Sequence, residues 1–406
     1  MVRKKMYRGE RLMGSNLHRT FRAKLDGFIN EIKPTSEQRD YLNECRQKVR
    51  AVLKHGMANF IAENGGDPNT IKPKFRLQGS WAYGTCNQPA YPSQEMDVDY
   101  GVYLPNSLLA QGRSDIVAKS YFVVVEALLE PLASREGWTL CKTKNTCCRL
   151  ILAGNAHMDV PLYIVPDLMF ESLVERNNMI LDEAKATIAK DEYIFKGYHY
   201  STESFESEAK IIQLDYITKI LMALRDGNWK ESDCELIRKW YADHLAEQED
   251  NGRQLRYIAR YLKAWRDQEY EEGGGPSSIL LMIIANQNYQ YFEDRDDLAL
   301  LHVVKKLPEI LLGPVKEDSI PEHTDEDFNR IPVDERSEAH DLASELLDVV
   351  TAAIEVESAK TSINFLRSKF GKRIPDNESY VIIENTNQEL PLQTVSPATI
   401  QPTRGG

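Results

Sequence analysis

Nowhere in its 406 residues does the chain approach the roughly 20 consecutive apolar residues that a membrane-spanning helix needs. The most apolar stretch, Ile279 to Ala285, is short enough to be a buried segment of a fold, so no membrane partner is expected. Cysteine is scarce: Cys45, Cys86, Cys141, Cys147, Cys148 and Cys234 are scattered, with no Cys-x-x-Cys pair and no His/Cys cluster at zinc spacing. That excludes a disulfide scaffold and a zinc finger, and a reduced, cytoplasmic protein is expected. The basic start, Met-Val-Arg-Lys-Lys, has no apolar stretch behind it and does not read as a secretory signal. Repeats at periods of 20 to 50 residues are missing as well. Positive charge is not in excess: 50 Lys and Arg face 62 Asp and Glu, a net charge of -12. Phosphate neutralisation supplies most of the affinity for long nucleic acid, so no long nucleic acid template is expected and a small substrate is favoured.

What is present is ordinary globular material, 42% apolar and 28% charged, enough for about two to three domains. The first 24 residues hold seven or more Lys and Arg and almost no acid, a basic arm on an acidic body. Thr35 with Gln38 fits a capping box, and Leu42, Cys45, Val49, Leu53, Met57 and Phe60 follow at helical spacing until Asn64-Gly65-Gly66 stops the helix. From Phe75 to Val165 the period changes to two. Met96, Val98, Tyr100, Val102 and Leu104 alternate with Asp97, Asp99, Gly101 and Tyr103, and residues 149–152 and 157–165 form a second extended pair around Gly154-Asn155. Helical spacing then returns over 205–226, 233–249, 253–267, 277–290, 295–312 and 336–370, and the residues from Lys372 onward read as a flexible tail. These patterns predict an α+β fold: a mixed sheet core within residues 1–205, a helical half over 206–371 and a tail over 372–406.

On a strand, Asp97 and Asp99 point to one face with Cα atoms about 6.5–7 Å apart. Like charges so placed repel unless a cation lies between them, and Asp159, on a strand of the same alternation, could close the set. Three carboxylates suit one or two Mg²⁺ ions, hard cations that bridge to phosphates. Gly79-Ser80 ends a short apolar strand, where a glycine lets the backbone approach a triphosphate and a serine adds a hydroxyl donor. In the segment 253–267, Arg253, Arg256, Arg260 and Lys263 form a basic stripe beside an apolar one. It is either a solvated face or a wall for phosphate. The ending Thr-Arg-Gly-Gly is either a disordered terminus or an unhindered carboxylate offered to a partner.

The segments QGSWAYGT, QEMDVDYGVYLP and HMDVPLYIVP resemble the cGAS/DncV-like nucleotidyltransferases, and the likeness continues to about residue 370 through Asn228-Trp-Lys-Glu-Ser-Asp, RYLKAWRD and Gly274-Gly-Pro-Ser-Ser. The resemblance implies a polymerase-beta-like nucleotidyltransferase core with a helical C-terminal half, two-lobed around a central active-site cleft. It implies two Mg²⁺ ions (Mn²⁺ as a substitute) on Asp97, Asp99 and Asp159, with Asp159 also helping to deprotonate the attacking ribose hydroxyl. Gln78, Gly79, Ser80, Tyr83, Arg149, Ser232, Lys263, Ser278 and Asp325 match nucleotide-contacting positions, Asp325 as the reader of a guanine edge. An extra glycine before Pro276 leaves Ser277 as an alternative to Ser278.

The implied reaction joins ATP and GTP, with release of pyrophosphate, into a cyclic dinucleotide, most plausibly 3′,3′-cGAMP, a second messenger of CBASS anti-phage defence. The family also implies a ubiquitin-activating-like partner that conjugates the chain through Gly406. A cyclic trinucleotide or another cyclic dinucleotide would keep the same site. A non-catalytic nucleotide-binding scaffold conjugated through its C-terminus is a different class, expected to lose a metal carboxylate. A poly(A) or tRNA nucleotidyltransferase is disfavoured by the acidic balance and the lack of an RNA-binding module.

Overall fold

The structure is a computed structural model that describes residues 14–109, 114–173, 219–232, 234–248, 251–320 and 325–384. Most of the basic arm, most of the 205–226 segment and Gly406 lie outside the described residues. The strands in chain order are β1 (Gly14–Asn16), β2 (Lys74–Leu77), β3 (Met96–Pro105), β4 (Thr139–Cys141), β5 (Cys148–Leu152), β6 (Ala156–Val160), β7 (Leu162–Val165), β8 (Leu221–Ala223), β9 (Trp229–Glu231) and β10 (Ile382–Glu384).

Eight strands form one mixed sheet, ordered β4-β5-β6-β3-β7-β8-β9, with β2 also paired to β3. β3 is its centre, parallel to β6 and β7 and antiparallel to β2. Pro161 separates β6 from β7, yet the register against β3 runs on: Asp99 faces Asp159 and Val102 faces Leu162. Between β5 and β6 the chain turns at Gly154 and Asn155, with φ of 72° and 53°. Two consecutive left-handed residues suit a tight hairpin, which sets Arg149 opposite Asp159.

One face of β3 is buried by design of its alternation. Val98, Tyr100, Val102 and Leu104 pack with Leu42, Val49 and Leu53 of helix Ser36–Gly56 and with Tyr121, Phe122 and Val125 of helix Ser114–Glu136. Each large side chain so buried contributes about 1.5–3 kcal/mol, and truncating one to alanine costs about 2–5 kcal/mol. The Thr35–Gln38 capping box forms in both directions at the start of the first helix. The chemistry-bearing face of β3 is thus held from behind by a rigid core.

A second lobe is helical, with Gly252–Glu269 at its centre, nearly every residue from 252 to 265 being buried. Around it pack helices Ser278–Asn288, Asp296–Val304, Arg336–Glu355 and Ala359–Phe370.

Three expectations need correction. The predicted helix at 205–226 does not extend to its end: Leu221–Ala223 is a strand that pairs with β7, and Asp226-Gly227-Asn228 turns the chain back into β9. Gly227, at φ 102°, makes that turn, and Leu224 N donates to Asn228 O at 2.8 Å. Residues 17–32 belong with the helical lobe rather than with the sheet, because Phe28 stacks on Tyr261 with ring centroids 5.5 Å apart and Phe21 meets the same ring at a tilt, 4.9 Å away. The tail does not begin at Lys372: β10 pairs antiparallel with β1, Arg295 binds Glu384, and the Tyr380 hydroxyl donates to Asp26. These contacts satisfy backbone and charge that a free tail would leave to water.

Candidate active site

The alternation of β3 exposes Asp97 and half-buries Asp99 on the face opposite the core. β6 sets His157 beside Asp97 and Asp159 beside Asp99. Four side chains therefore share one patch, and each acid in it has a different environment. Asp97, 48% exposed, lies 3.0 Å from His157 Nε2, while Glu95 Oε2 is 2.8 Å from His157 Nδ1. Burial pushes the His157 imidazole pKa down, but the neighbouring Asp97 carboxylate outweighs it and raises it on balance. Asp159 takes a bidentate pair from Arg149, Nε to Oδ1 at 2.6 Å and Nη2 to Oδ2 at 2.7 Å. That fork holds the guanidinium firmly charged. Burial, and then the Asp97 and Asp159 charges, push Asp99 up to about 8.

Gly79 is fitted to this patch. Its φ is +59°, and a Cβ there would lie 2.0 Å from Asp99 Oδ2. A side chain at 79 would thus be strained and would also displace the carboxylate. The short helix Gly79–Ala82 follows directly, with Ser80 and Tyr83 facing the same cleft. Gln78 departs from expectation: it is buried, donating to the Tyr103 hydroxyl and accepting from Tyr163 Oη at 3.2 Å. The bare Cα of Gly101 leaves it that space, since a Cβ there would meet Gln78 Nε2 at 2.4 Å.

The basic stripe of helix Gly252–Glu269 is neither a solvated face nor a bare phosphate wall. Arg260 donates to Gly84 O at 2.8 and 2.6 Å and to Cys86 O at 2.9 Å, and Asn87 Nδ2 donates back to Arg260 O. Lys263 Nζ donates to Thr85 O at 2.6 Å. This stripe fastens the loop after Tyr83 to the helical lobe. Lys263 also reaches the cleft, and burial pushes its pKa down to about 8. Of the two serines, Ser277 caps helix Ser278–Asn288 by accepting from Leu280 N, and Ser278 faces the cleft beside Arg266.

The cleft between the lobes measures about 510 Å³ and brings together Gly79, Ser80, Tyr83, Asp97, Asp99, Lys263 and Ser278. Asp159 and Arg149 stand one strand and two strands from β3. Ser232 lies at the end of β9, its N–H on Ile220 O, and Asp325 is fully exposed, 3.7 Å from Lys316. Neither lines the cleft. Sequence reasoning missed Glu95, Thr85 and His157; the last sits two residues before Asp159 and so shares its face by the same alternation.

The donor set suits a divalent cation. Ligand atoms of Asp97, His157 and Asp159 lie within 4.8 Å of one another, and Asp99 beside them carries a charge that burial, Asp97 and Asp159 penalise and His157 and Arg149 only partly offset. Among the described residues no helix is long and apolar enough to cross a membrane, and the five described cysteines form no disulfide.

Residues 73–163 match the nucleotidyltransferase domain of the cyclic GMP-AMP synthase DncV-like family, and residues 252–383 match the cyclic GMP-AMP synthase C-terminal domain. A cyclic GMP-AMP synthase of Vibrio cholerae is 31% identical over 369 residues, covering 87% of this chain and 79% of its own. One from Escherichia coli is 30% identical over 413 residues, covering 88% and 91%. The fold is similar to the crystal structure of Vibrio cholerae DncV cyclic AMP-GMP synthase with the linear intermediate 5′ pppA(3′,5′)pG, with a TM-score of 0.67 at 22% identity over 92% of this chain and 100% of that one. These sequence matches, on a fold whose sheet sets a carboxylate cluster and Gly79-Ser80 at one cleft beside a helical lobe, place the chain in the DncV-like cyclic GMP-AMP synthase family, as a nucleotidyltransferase.

Proposed function

We propose that the chain condenses ATP and GTP into a cyclic dinucleotide, 3′,3′-cGAMP, in two successive nucleotidyl transfers, and that the product is a second messenger of CBASS anti-phage defence. The observation that carries the chemistry is the convergence of Asp97, Asp99 and Asp159 beside Gly79-Ser80. Those three carboxylates would hold two Mg²⁺ ions. When bound, such ions activate a ribose hydroxyl and neutralise charge on the departing pyrophosphate. Gly79 lets the backbone approach a triphosphate, while Ser80 and Lys263 supply a hydroxyl and an ammonium to it. Arg149 orients Asp159 by its two-pronged bond and leaves that carboxylate to accept the ribose proton. Tyr83 and Ser278 line the pocket for the nucleosides, with Ser232 and Asp325 as outer contacts, Asp325 on guanine. Conjugation through Gly406 by a ubiquitin-activating-like partner is part of the same reading.

The test is incubation with pairwise labelled nucleotides and Mg²⁺, followed by chromatography and mass spectrometry. A phosphatase-resistant ATP–GTP product is expected, and Asp97→Asn with Asp99→Asn should lower its rate by about 10³-fold or more, since such metal stabilisation is worth several kcal/mol. The double variant should melt no lower than the parent, because it relieves the burial of Asp99 beside the Asp97 and Asp159 charges. Activity that survives the double change moves the chemistry elsewhere.

A further inference from the structure

Each outer acid of the patch has a basic companion, and only one pairing, Arg149 with Asp159, is an ideal fork. The other is a chain of three groups, Glu95 to His157 to Asp97. The His157 ring is 10% exposed and has a carboxylate at each edge: Nδ1 hydrogen-bonds with Glu95 Oε2 at 2.8 Å, and Asp97 Oδ1 lies 3.0 Å from Nε2, at ion-pair distance but off the line of a hydrogen bond. Backbone geometry locks this arrangement: β3 and β6 run parallel with Asp97 against His157, and Met96, Val98 and Met158 are buried beneath. Asp97 is the more exposed of the two acids on β3. An anchored imbalance of this kind is what an orienting histidine corrects, because carboxylate, imidazole and carboxylate fix one another's rotamers in series.

We infer that His157 is a positioning residue: Glu95 orients its ring through Nδ1, and the Nε2 edge pairs electrostatically with one oxygen of Asp97 so that the other faces the cleft. The inference rests on the reading of Asp97 as a metal ligand.

The full-length chain is titrated with Mn²⁺ alone and followed by electron paramagnetic resonance, without nucleotide. The parent should bind Mn²⁺ and Asp97→Asn should lose it. His157→Leu should raise the dissociation constant by about 10- to 100-fold. His157→Gln, whose amide still donates towards Asp97, should recover most of that loss. Raising Mg²⁺ should restore turnover in His157→Leu and not in Asp97→Asn. Should the leucine variant fail to fold, Glu95→Ala, at a partly exposed position, should still weaken Mn²⁺ by severalfold. Unchanged Mn²⁺ affinity in both His157→Leu and Glu95→Ala would reduce the histidine to packing. Direct ¹⁴N coupling to bound Mn²⁺ in the parent would make it a ligand and overturn the assignment. A parent that binds no Mn²⁺ in an Asp97-dependent manner defeats the metal reading itself.

Discussion

Strand β3 and helix Gly252–Glu269 face each other across one cleft with opposite charge. The strand leaves Asp97 half exposed and crowds Asp99 against two other acids, so its charge is only partly answered within the protein. The helix does the reverse: Arg260 and Lys263 are almost wholly buried and give their donors to the carbonyls of residues 84–86. Acid on the strand is kept available for ligands, while base on the helix joins the lobes and presents one ammonium at the cleft wall. Burial alone does not predict role here. Asp99 and Lys263 are both pushed to about 8, the acid from below by burial and by the Asp97 and Asp159 charges, the base from above chiefly by burial.

The sharpest way to break this contrast is Arg260→Met. If Arg260 joins the lobes, the variant leaves Gly84 O and Cys86 O without their buried donors. A loss of about 3 kcal/mol is expected, from charged hydrogen bonds worth about 1.5–3 kcal/mol each. Urea denaturation measures it, as a lower midpoint. Nucleotide dissociation constants, measured on the folded fraction, should change far less. A stable variant with severalfold weaker nucleotide binding would instead make Arg260 a phosphate contact and erase the difference from Lys263.

The same two elements show what a sequence can and cannot disclose. β3 was legible because one buried face imposes a strict period of two, and that period also puts Asp97 and Asp99 together. His157 obeys the same rule relative to Asp159. Its role needed the strand order, which lays β6 parallel to β3 with His157 against Asp97, and no spacing within either strand encodes that. The helical stripe was legible as a face. Whether that face meets water, phosphate or protein depended on a loop far earlier in the chain, residues 84–87, so its clamp was not visible. The burial of Gln78 was hidden for a related reason: its place between Tyr103 and Tyr163 follows from a missing side chain at Gly101 on a neighbouring strand. β8 is three residues long, too short to show alternation, and its neighbours in sequence read as helix.

Lys263 sharpens the comparison through pH. Its folded pKa, about 8, lies below the ordinary 10.5, so the folded protein binds fewer protons than the unfolded chain between those values. Stability should therefore rise with pH across that window. Nucleotide affinity should move the other way, because the free site is cationic below about 8 and neutral above it. In the absence of divalent metal, loss of the Lys263 charge is expected to weaken triphosphate binding about tenfold from pH 7 to pH 9, and Lys263→Met should remove that part of the fall, leaving the part that comes from Asp99 gaining charge over the same window. Isothermal titration at fixed ionic strength reads it. A parent profile no steeper than the variant's would mean that Lys263 serves the loop and not the ligand.

The smallest effect separates two acids of one loop. Asp327 accepts from Val315 N at 2.9 Å, Asn329 N at 2.8 Å and Arg336 Nη2 at 3.4 Å. Burial raises its pKa, but these donors outweigh burial and hold it below the ordinary carboxylate value. Asp325, two residues earlier, is fully exposed and among the described residues has the long pair to Lys316 as its ionic contact. Asp327→Asn should cost about 1 kcal/mol of stability, discounted because the group is partly solvated, and leave nucleotide binding alone. Asp325→Asn should leave the urea midpoint unchanged and weaken GTP by about fivefold with ATP unaffected, the loss of roughly one hydrogen-bonded contact to a guanine edge. Equal affinity for GTP in parent and Asp325→Asn would leave that acid a solvated loop residue, and base choice would then rest with side chains that line the cleft itself.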